Sequence, residues 1–404
     1  MSLPRFFLSR PSQPQPPKSW TGEKLYFRGD DYFRGLLRAI HGARKSVDFE
    51  TYIFEPGRLG DQVAAALVKA ARRKVKVRVL VDGVGSPQFA STYGPLLEKA
   101  GIPYRVYRSW PTFFSTIYKR FRLSHFFKSL QKDVALFDSG KHRDHRKQVI
   151  IDNRAVWIGS FNVSDWHLVS EKGNKAWRDT GIALSGVKNL VFKLAFQATW
   201  EDPWPYHFHR LYRHSLIQWL SYGIEESPIR MTANQRLRRA FRRELLKRIR
   251  GARTRVWITT PYFVPTGPLW RALLRAAKRG CDLRIILPER SDVPMVRWAS
   301  MAYYPKLLKA GGRLWEYQRS VLHAKTTMID EWVLVGSSNL DYRSLRKDLE
   351  INVVPQNPKT IRALEKRFEL DQAQSHEVKP EELKRYPPGT RLLSWFFFQF
   401  RYWF

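Results

Sequence analysis

Acidic residues are in short supply in this chain of 404 residues: 36 Asp and Glu face 71 Lys and Arg, a formal net charge of +35. That imbalance says nothing about fold but implies a polyanionic partner. Nucleic acid and anionic lipid headgroups both offer dense phosphate to Lys and Arg, and charge alone does not choose between them. Cysteine is almost absent. Cys281 stands alone, which excludes an intrachain disulfide and fits a small buried core residue in a reducing cytosol. Long apolar runs are missing too. No window approaches the roughly 18 uninterrupted apolar residues of a spanning helix. Met1 to Trp20 holds only Phe6-Phe7-Leu8 before a Pro/Gln/Ser stretch, too short for the core of a signal peptide. Neither a membrane-crossing helix nor an export signal is expected. Core-forming material is plentiful, with 43% hydrophobic and 14% aromatic residues, enough for two domains of ordinary size.

The dominant feature is a repeat. His145-Arg146-Lys147-Gln148-Val149-Ile150-Ile151-Asp152 is followed by Gly159-Ser160-Phe161-Asn162, and His323-Ala324-Lys325-Thr326-Thr327-Met328-Ile329-Asp330 by Gly336-Ser337-Ser338-Asn339. One such pattern recurs by chance; two inside a longer repeat are a strong signal. Leu36 to Arg44 lines up with Leu245 to Arg253, each the end of a helix with Gly in the stop position. An apolar strand follows (Val47 to Phe54; Val256 to Phe263), then a helix (Leu59 to Arg73; Leu269 to Lys278), then a closing strand (Val75 to Val81; Leu283 to Leu287). Strand, helix, strand predicts parallel α/β layers with helices on the faces, and two copies predict two α/β/α sandwich domains. Gln148 to Asp152 with Ala155 to Gly159, and Thr326 to Ile329 with Trp332 to Val335, predict a short hairpin in each. The second copy has one residue fewer between its Asp and its Gly, so its turn or register must differ, which bears on where Ser337 and Asn339 stand.

Side chains two apart in an extended strand share a face, so His145 and Lys147, like His323 and Lys325, point the same way. A nucleophile and a cation converging on one phosphate need that spacing. A phosphodiester resists attack because its anionic oxygens repel nucleophiles and its alkoxide leaves poorly. Two imidazoles answer both difficulties: one attacks phosphorus, and the other, protonated, supplies a proton to the leaving oxygen. Histidine's ordinary pKa of about 6.5 allows one neutral and one charged ring near neutral pH. Lys147 and Lys325 supply fixed positive charge, with Ser160, Asn162, Ser337 and Asn339 as hydrogen-bond donors to phosphate. Asp152 and Asp330 complete the motif, and their position after the first strand suits backbone bonds at the turn. Cationic side chains do a metal's work here. His142 with His145, and His207 with His209, lack partner carboxylates at motif spacing, so neither metal nor cofactor is expected.

The paired pattern resembles the phospholipase D superfamily. In that family the His of the amino-terminal copy is usually the nucleophile and the other the general acid/base, which implies His145 and His323 in those roles. The resemblance also implies a carboxylate near thirty residues past each His, holding the imidazole's other nitrogen. Asp179 in Trp177-Arg178-Asp179-Thr180 and Glu350 in Leu349-Glu350-Ile351-Asn352 stand at those places. From about Trp20 to residue 375 the chain looks like bacterial cardiolipin synthases of the short, peripheral branch, supported by Asp48-Phe49-Glu50-Thr51-Tyr52-Ile53-Phe54 and Thr260-Pro261-Tyr262-Phe263-Val264-Pro265. It implies two phospholipase D-like domains related by a pseudo-twofold axis, with the active site at their interface. It further implies phosphatidyl transfer between phosphatidylglycerol molecules at the cytoplasmic face of a bacterial inner membrane. Hydrolysis of phospholipid, or a phosphodiesterase or nuclease acting on nucleic acid, is the alternative.

On this reading residues 1–20 are a flexible Pro-rich lead-in, 21–215 the first domain, 222–375 the second and 376–404 a tail. The first copy takes 64 residues from Val81 to His145 and the second 36 from Leu287 to His323, so an insertion is expected near 104–128. Nine aromatics from Tyr104 to Phe127 interleave there with cations, as a packed lid or as an interfacial element does. Arg391 to Phe404 holds eight aromatics in fourteen residues, which describes a buried tail or an interface anchor. Arg236 to Arg255 predicts a basic helix with an apolar stripe at Leu237, Ala240, Phe241, Leu245 and Ile249.

Overall fold

The structure, a computed structural model, describes residues 19–108, 142–188, 190–201 and 227–403. Its strands form two mixed sheets. The first contains β1 (Gly22–Tyr26), β2 (Ser46–Thr51), β3 (Lys76–Asp82), β4 (Tyr104–Tyr107), β5 (Gln148–Ile151), β6 (Ala155–Gly159) and β7 (Gly181–Ser185). The second contains β8 (Ile229–Met231), β9 (Arg255–Thr259), β10 (Asp282–Pro288), β11 (Arg313–Tyr317), β12 (Thr326–Ile329), β13 (Trp332–Gly336), β14 (Ile351–Val353) and β15 (Ser375–Glu377). The described helices of eight or more residues are α1 (Gly29–Gly42), α2 (Arg58–Arg72), α3 (Val191–Glu201), α4 (Gln235–Gly251), α5 (Gly267–Lys278), α6 (Pro294–Met301), α7 (Pro358–Ala373) and α8 (Pro388–Gln399).

Strand order runs β1-β7-β6-β5-β2-β3-β4 in the first sheet and β8-β14-β13-β12-β9-β10-β11-β15 in the second. Seven strands thus correspond one to one, and β15 is an extra antiparallel edge on β11. The β2–β3 and β9–β10 pairs are parallel, joined through α2 and α5, as the strand-helix-strand pattern predicts. The motif hairpins β5–β6 and β12–β13 pair antiparallel against β2 and β9.

Three expectations need adjusting. The strands expected to reach Phe54 and Phe263 stop at Thr51 and Thr259. Thr51 and Thr260 each turn a hydroxyl onto a carbonyl two residues on, of Ile53 and Tyr262, bending the chain identically in both halves. The second sheet continues through Glu377, so a division after residue 375 cuts β15. Tyr104 and Tyr107, counted with the aromatic insertion, belong to edge strand β4, and Tyr107 is buried. The rest of the insertion, the lead-in up to residue 18 and the junction at 215–222 lie outside the described residues.

On one face of the first sheet pack α1 and α2, and on one face of the second pack α4, α5 and α6. A further apolar layer lies between the sheets, where Phe192 and Phe196 of α3 and Leu364 and Phe368 of α7 meet residues of both domains, including Ile158, Ile182, Trp257 and Val335. Fully burying each Leu, Ile or Phe contributes on the order of 1.5–3 kcal/mol. The two halves are held face to face by a continuous core.

Candidate active site

The two motifs meet across this interface, joined by two short parallel bridges that the sequence does not announce. The peptide N–H of His145 donates to Leu349 O at 3.0 Å, and that of Leu349 to Arg143 O at 2.8 Å. The equivalent bridge has His323 donating to Arg178 O at 2.8 Å and Arg178 to Val321 O at 2.9 Å. Leu349 and Arg178 immediately precede Glu350 and Asp179. Each bridge therefore carries one domain's carboxylate to the other domain's histidine. His145 Nδ1 lies 2.9 Å from Glu350 Oε1, and His323 Nδ1 lies 2.7 Å from Asp179 Oδ2. The expectation that each carboxylate serves the histidine of its own copy is corrected: the partners are exchanged.

His145, His323, Asp179 and Glu350 are buried, as are Lys147 and Lys325. An ionised carboxylate at Nδ1 draws the ring proton there and leaves Nε2 as the reactive nitrogen. Lys325 Nζ lies 3.1 Å from His323 Nε2 and donates to His323 O at 2.6 Å, while Lys147 Nζ donates to His145 O at 2.8 Å. No group among the described residues bonds His145 Nε2, so the two rings are inequivalent.

The glycine of each motif sits where a neighbouring strand leaves no room. A Cβ on Gly336 would stand 2.4 Å from Ile351 O, and one on Gly159 2.5 Å from Thr180 O. Ser160 and Ser337 follow, and here the sequence reading is corrected. Their hydroxyls donate to Asp179 and Glu350, so they buttress the carboxylates instead of meeting phosphate. Asn162 and Asn339 behave alike: each leaves its buried side-chain oxygen without a partner among the described residues. An unpaired oxygen accepts and does not meet a phosphate oxygen, so a contact with phosphate falls to the side-chain N–H groups.

Asp152 and Asp330, grouped with the catalytic residues in the sequence motif, are remote from the chemistry. Asp152 accepts from the peptide N–H groups of Arg44, Lys45 and Ser46, at 2.7 Å from Lys45. Asp330 accepts from Arg253, Thr254 and Arg255, at 2.9 Å from Thr254. Each ties its hairpin turn to the loop leading into β2 or β9, so the expected backbone bonds form, but to a distant loop and not within the turn itself. The one-residue difference between the copies is absorbed at these turns: Asp152 and Asn153 both take positive φ, whereas Asp330 alone does in the second hairpin. Ser337 and Asn339 keep their positions because the slack lies at the far end of the strands.

Alternation sends Arg146 to the opposite face from His145 and Lys147. There it is fully buried, ion-paired with Glu50 at 2.8 Å and Asp144 at 2.9 Å, and donates to Ala195 O of α3. Ala324 takes this position in the second copy, so the first strand is pinned by charge and the second by packing.

His167 was missed. It is buried, and its Nε2 accepts the peptide N–H of Asn162 at 3.2 Å, which leaves the hydrogen on Nδ1, 3.6 Å from Asp179 Oδ2. Ser344 is its counterpart, with Oγ accepting the N–H of Asn339 at 3.2 Å. A short Asp beside a large His thus matches a long Glu beside a small Ser. Asn162 and Asn339, each five residues before the partner, were the available signal. His167, Asp179 and His323 converge as a potential metal set, but Asp179 and His323 already bond each other and His167 Nε2 is engaged by Asn162.

Burial governs the electrostatics. It holds the His145 and His323 imidazoles well below their ordinary range, helped by the charges of Lys147 and Lys325. It also pulls Lys147 down to about 7 and Lys325 to about 8, and pushes Glu350 up to about 8 and Asp179 above its usual range. An anion between the lysines opposes each desolvation cost of a cation.

Comparison with known proteins agrees with this geometry. The family described as "Cardiolipin synthase, PLD-like domain" matches residues 36–177 and 245–372. Cardiolipin synthase 1 of Bacillus cereus is 29% identical over 396 residues, covering 94% of this chain and 72% of that protein. Cardiolipin synthase A of Yersinia pseudotuberculosis is 33% identical over 343 residues, covering 80% of this chain and 64% of that protein. The chain thus spans roughly two thirds of the length of these relatives. The crystal structure of phosphatidylserine synthase from Haemophilus influenzae superimposes with a TM-score of 0.66 at 12% identity, over 94% of this chain and 93% of that one, a likeness of fold. The first matched segment contains His145 and ends two residues before Asp179, the second contains His323 and Glu350, and the chain belongs to the cardiolipin synthase family of phospholipase D-like proteins.

Proposed function

We propose that the protein is a cardiolipin synthase, transferring a phosphatidyl group from one phosphatidylglycerol to the terminal hydroxyl of another. The observation that carries this reading is the pair of buried imidazoles, each held at Nδ1 by a carboxylate of the opposite domain, with two lysines between them. His145 Nε2 attacks phosphorus as the P–O bond to glycerol breaks, and His323 gives its proton to the departing glycerol oxygen. His323 then takes the proton of the second lipid's hydroxyl, whose oxygen bonds phosphorus as the P–N bond breaks. Two inversions give retention. Lys147 and Lys325 disperse the developing charge, and the amides of Asn162 and Asn339 bond the phosphoryl oxygens. Anionic phospholipid in a bilayer surface is the substrate, and the protein acts as a peripheral enzyme at the cytoplasmic face of a bacterial inner membrane. No described helix is long and apolar enough to cross a membrane, which fits that placement.

Product analysis by mass spectrometry tests the reading: purified protein, phosphatidylglycerol vesicles, chelator present. Cardiolipin and glycerol are expected in equal amounts. Phosphatidic acid instead means water is the acceptor, and no lipid product moves the substrate to nucleic acid.

The pH dependence follows from the burial effects. Activity needs ionised carboxylates, gained as pH rises through their raised pKa values, about 8 for Glu350. It also needs charged lysines, lost as pH rises through about 7 for Lys147 and about 8 for Lys325, and a proton on His323, whose imidazole burial and Lys325 hold well below its ordinary range until a substrate anion binds. The kcat/KM profile, which reports the free enzyme, should be a narrow bell near neutrality. A bound phosphodiester anion raises every one of these pKa values, so the bell for kcat should lie to the alkaline side. A kcat bell at the same or lower pH contradicts this electrostatic account.

A further inference from the structure

Exposed large apolar side chains are few among the described residues, and most are in one place. Leu96, Trp166, Leu190 and Leu370 are scattered singly, whereas Leu392, Leu393, Trp395, Phe396, Tyr402 and Trp403 all belong to α8 and the turn after it. One face of α8 is accounted for. Phe397 stacks on Trp298 of α6 with centroids 5.3 Å apart, Phe398 meets Tyr303 at 5.3 Å, and Phe400 packs on the same core. The opposite face presents Leu392, Trp395 and Phe396, spaced i, i+3 and i+4, with Leu392 64% and Trp395 62% exposed. A helix apolar on all sides calls for a cover on its free side.

We propose that α8 is a membrane-docking element, its Leu392, Trp395 and Phe396 face seated in the headgroup–acyl boundary of an anionic bilayer so that the catalytic cleft opens toward the lipid. Charge selects the occupant. The chain carries +35; Arg391 and Arg401 bracket the aromatic run, and Arg401 lies 4.5 Å over both Phe398 and Tyr402, the mixture of aromatics and cations that an anionic interface accommodates. Position supplies the orientation. A cavity of about 180 Å³ under the end of α8 is lined by Val264, Thr266, Lys306, Tyr342, Arg401 and Tyr402. Val264 lies two residues past Tyr262, whose ring is 6.5 Å from His323, and Tyr342 lies three past Asn339. The turn that ends α8, with its exposed Tyr402, therefore adjoins the loops that frame the catalytic groups, and insertion of the helix brings the cleft mouth toward the headgroups. The choice of a lipid surface rests in part on the phosphatidyl-transfer reading above.

Two measurements test it. Trp395→Cys provides a labelling site, since the native Cys281 is buried. An environment-sensitive fluorophore there should shift to the blue with phosphatidylglycerol vesicles and respond little to phosphatidylcholine vesicles. An equal response to both, or a label already shielded in a dimer without lipid, overturns the proposal. The triple variant Leu392→Ser/Trp395→Ser/Phe396→Ser, which leaves the packed face intact, should bind phosphatidylglycerol vesicles at least about tenfold more weakly. It should turn over a monomeric short-chain phosphatidylglycerol at the unaltered protein's rate, and unchanged vesicle affinity overturns the proposal. Because fluorescence and vesicle binding need no turnover, a protein inactive on every lipid would remove the transferase reading and still leave docking to be judged separately.

Discussion

His145→Ala should abolish turnover on every substrate, whereas His323→Ala should lose about 10⁴-fold on phosphatidylglycerol and yet retain one chemical step. The difference lies in what each ring does. His145 Nε2 is unencumbered, and without it no bond to phosphorus forms. His323 is needed because glycerol leaves poorly as an alkoxide. A phosphatidyl ester of nitrophenol leaves without a proton, so His323→Ala should release a burst of nitrophenol, about one per protein, and then stall with the phosphatidyl group on His145. Stopped-flow absorbance with intact-mass analysis reads both. A burst from His145→Ala, or none from His323→Ala, would reverse the two roles.

The second large effect tests the exchange of carboxylates. Glu350→Gln and Asp179→Asn should each lower kcat by on the order of 10³–10⁴-fold, because an amide cannot enforce the Nδ1–H tautomer. Their phenotypes should cross over. Glu350 lies in the sequence copy of His323 but stands 2.9 Å from His145 Nδ1, so Glu350→Gln should resemble His145→Ala and give no burst. Asp179, 2.7 Å from His323 Nδ1, should when changed to Asn resemble His323→Ala and keep the burst. If each variant instead follows the histidine of its own copy, the bridges through Leu349 and Arg178 do not govern the chemistry. His167, 3.6 Å from Asp179, gives the His323 side a second imidazole, while the His145 side has only the hydroxyls of Ser337 and Ser344.

The sequence by itself determined the elements and their duplication. Hydrophobic periodicity, the glycines ending α1 and α4, and the paired His-x-Lys spacing are local properties, set by backbone geometry within a few residues, so two copies of one α/β unit were legible. That Asp152 and Asp330 bond backbone was legible as well, but not which backbone: their partners lie 106–108 and 75–77 residues away along the chain, not in the turn itself. What one domain does to the other was not legible. The exchange of Glu350 and Asp179 between histidines arises because the pseudo-twofold axis brings Leu349 O to the peptide N–H of His145 and Arg178 O to that of His323, and no separation along the chain encodes that juxtaposition. The same holds for Ser160 and Ser337, whose hydroxyls suit a phosphate or a carboxylate equally until the fold brings Asp179 and Glu350 against them. Which aromatics of the tail are buried was likewise a tertiary decision: composition is blind to helix face, and only the packing of α8 on α6 separates Phe397 and Phe398 from Trp395 and Phe396.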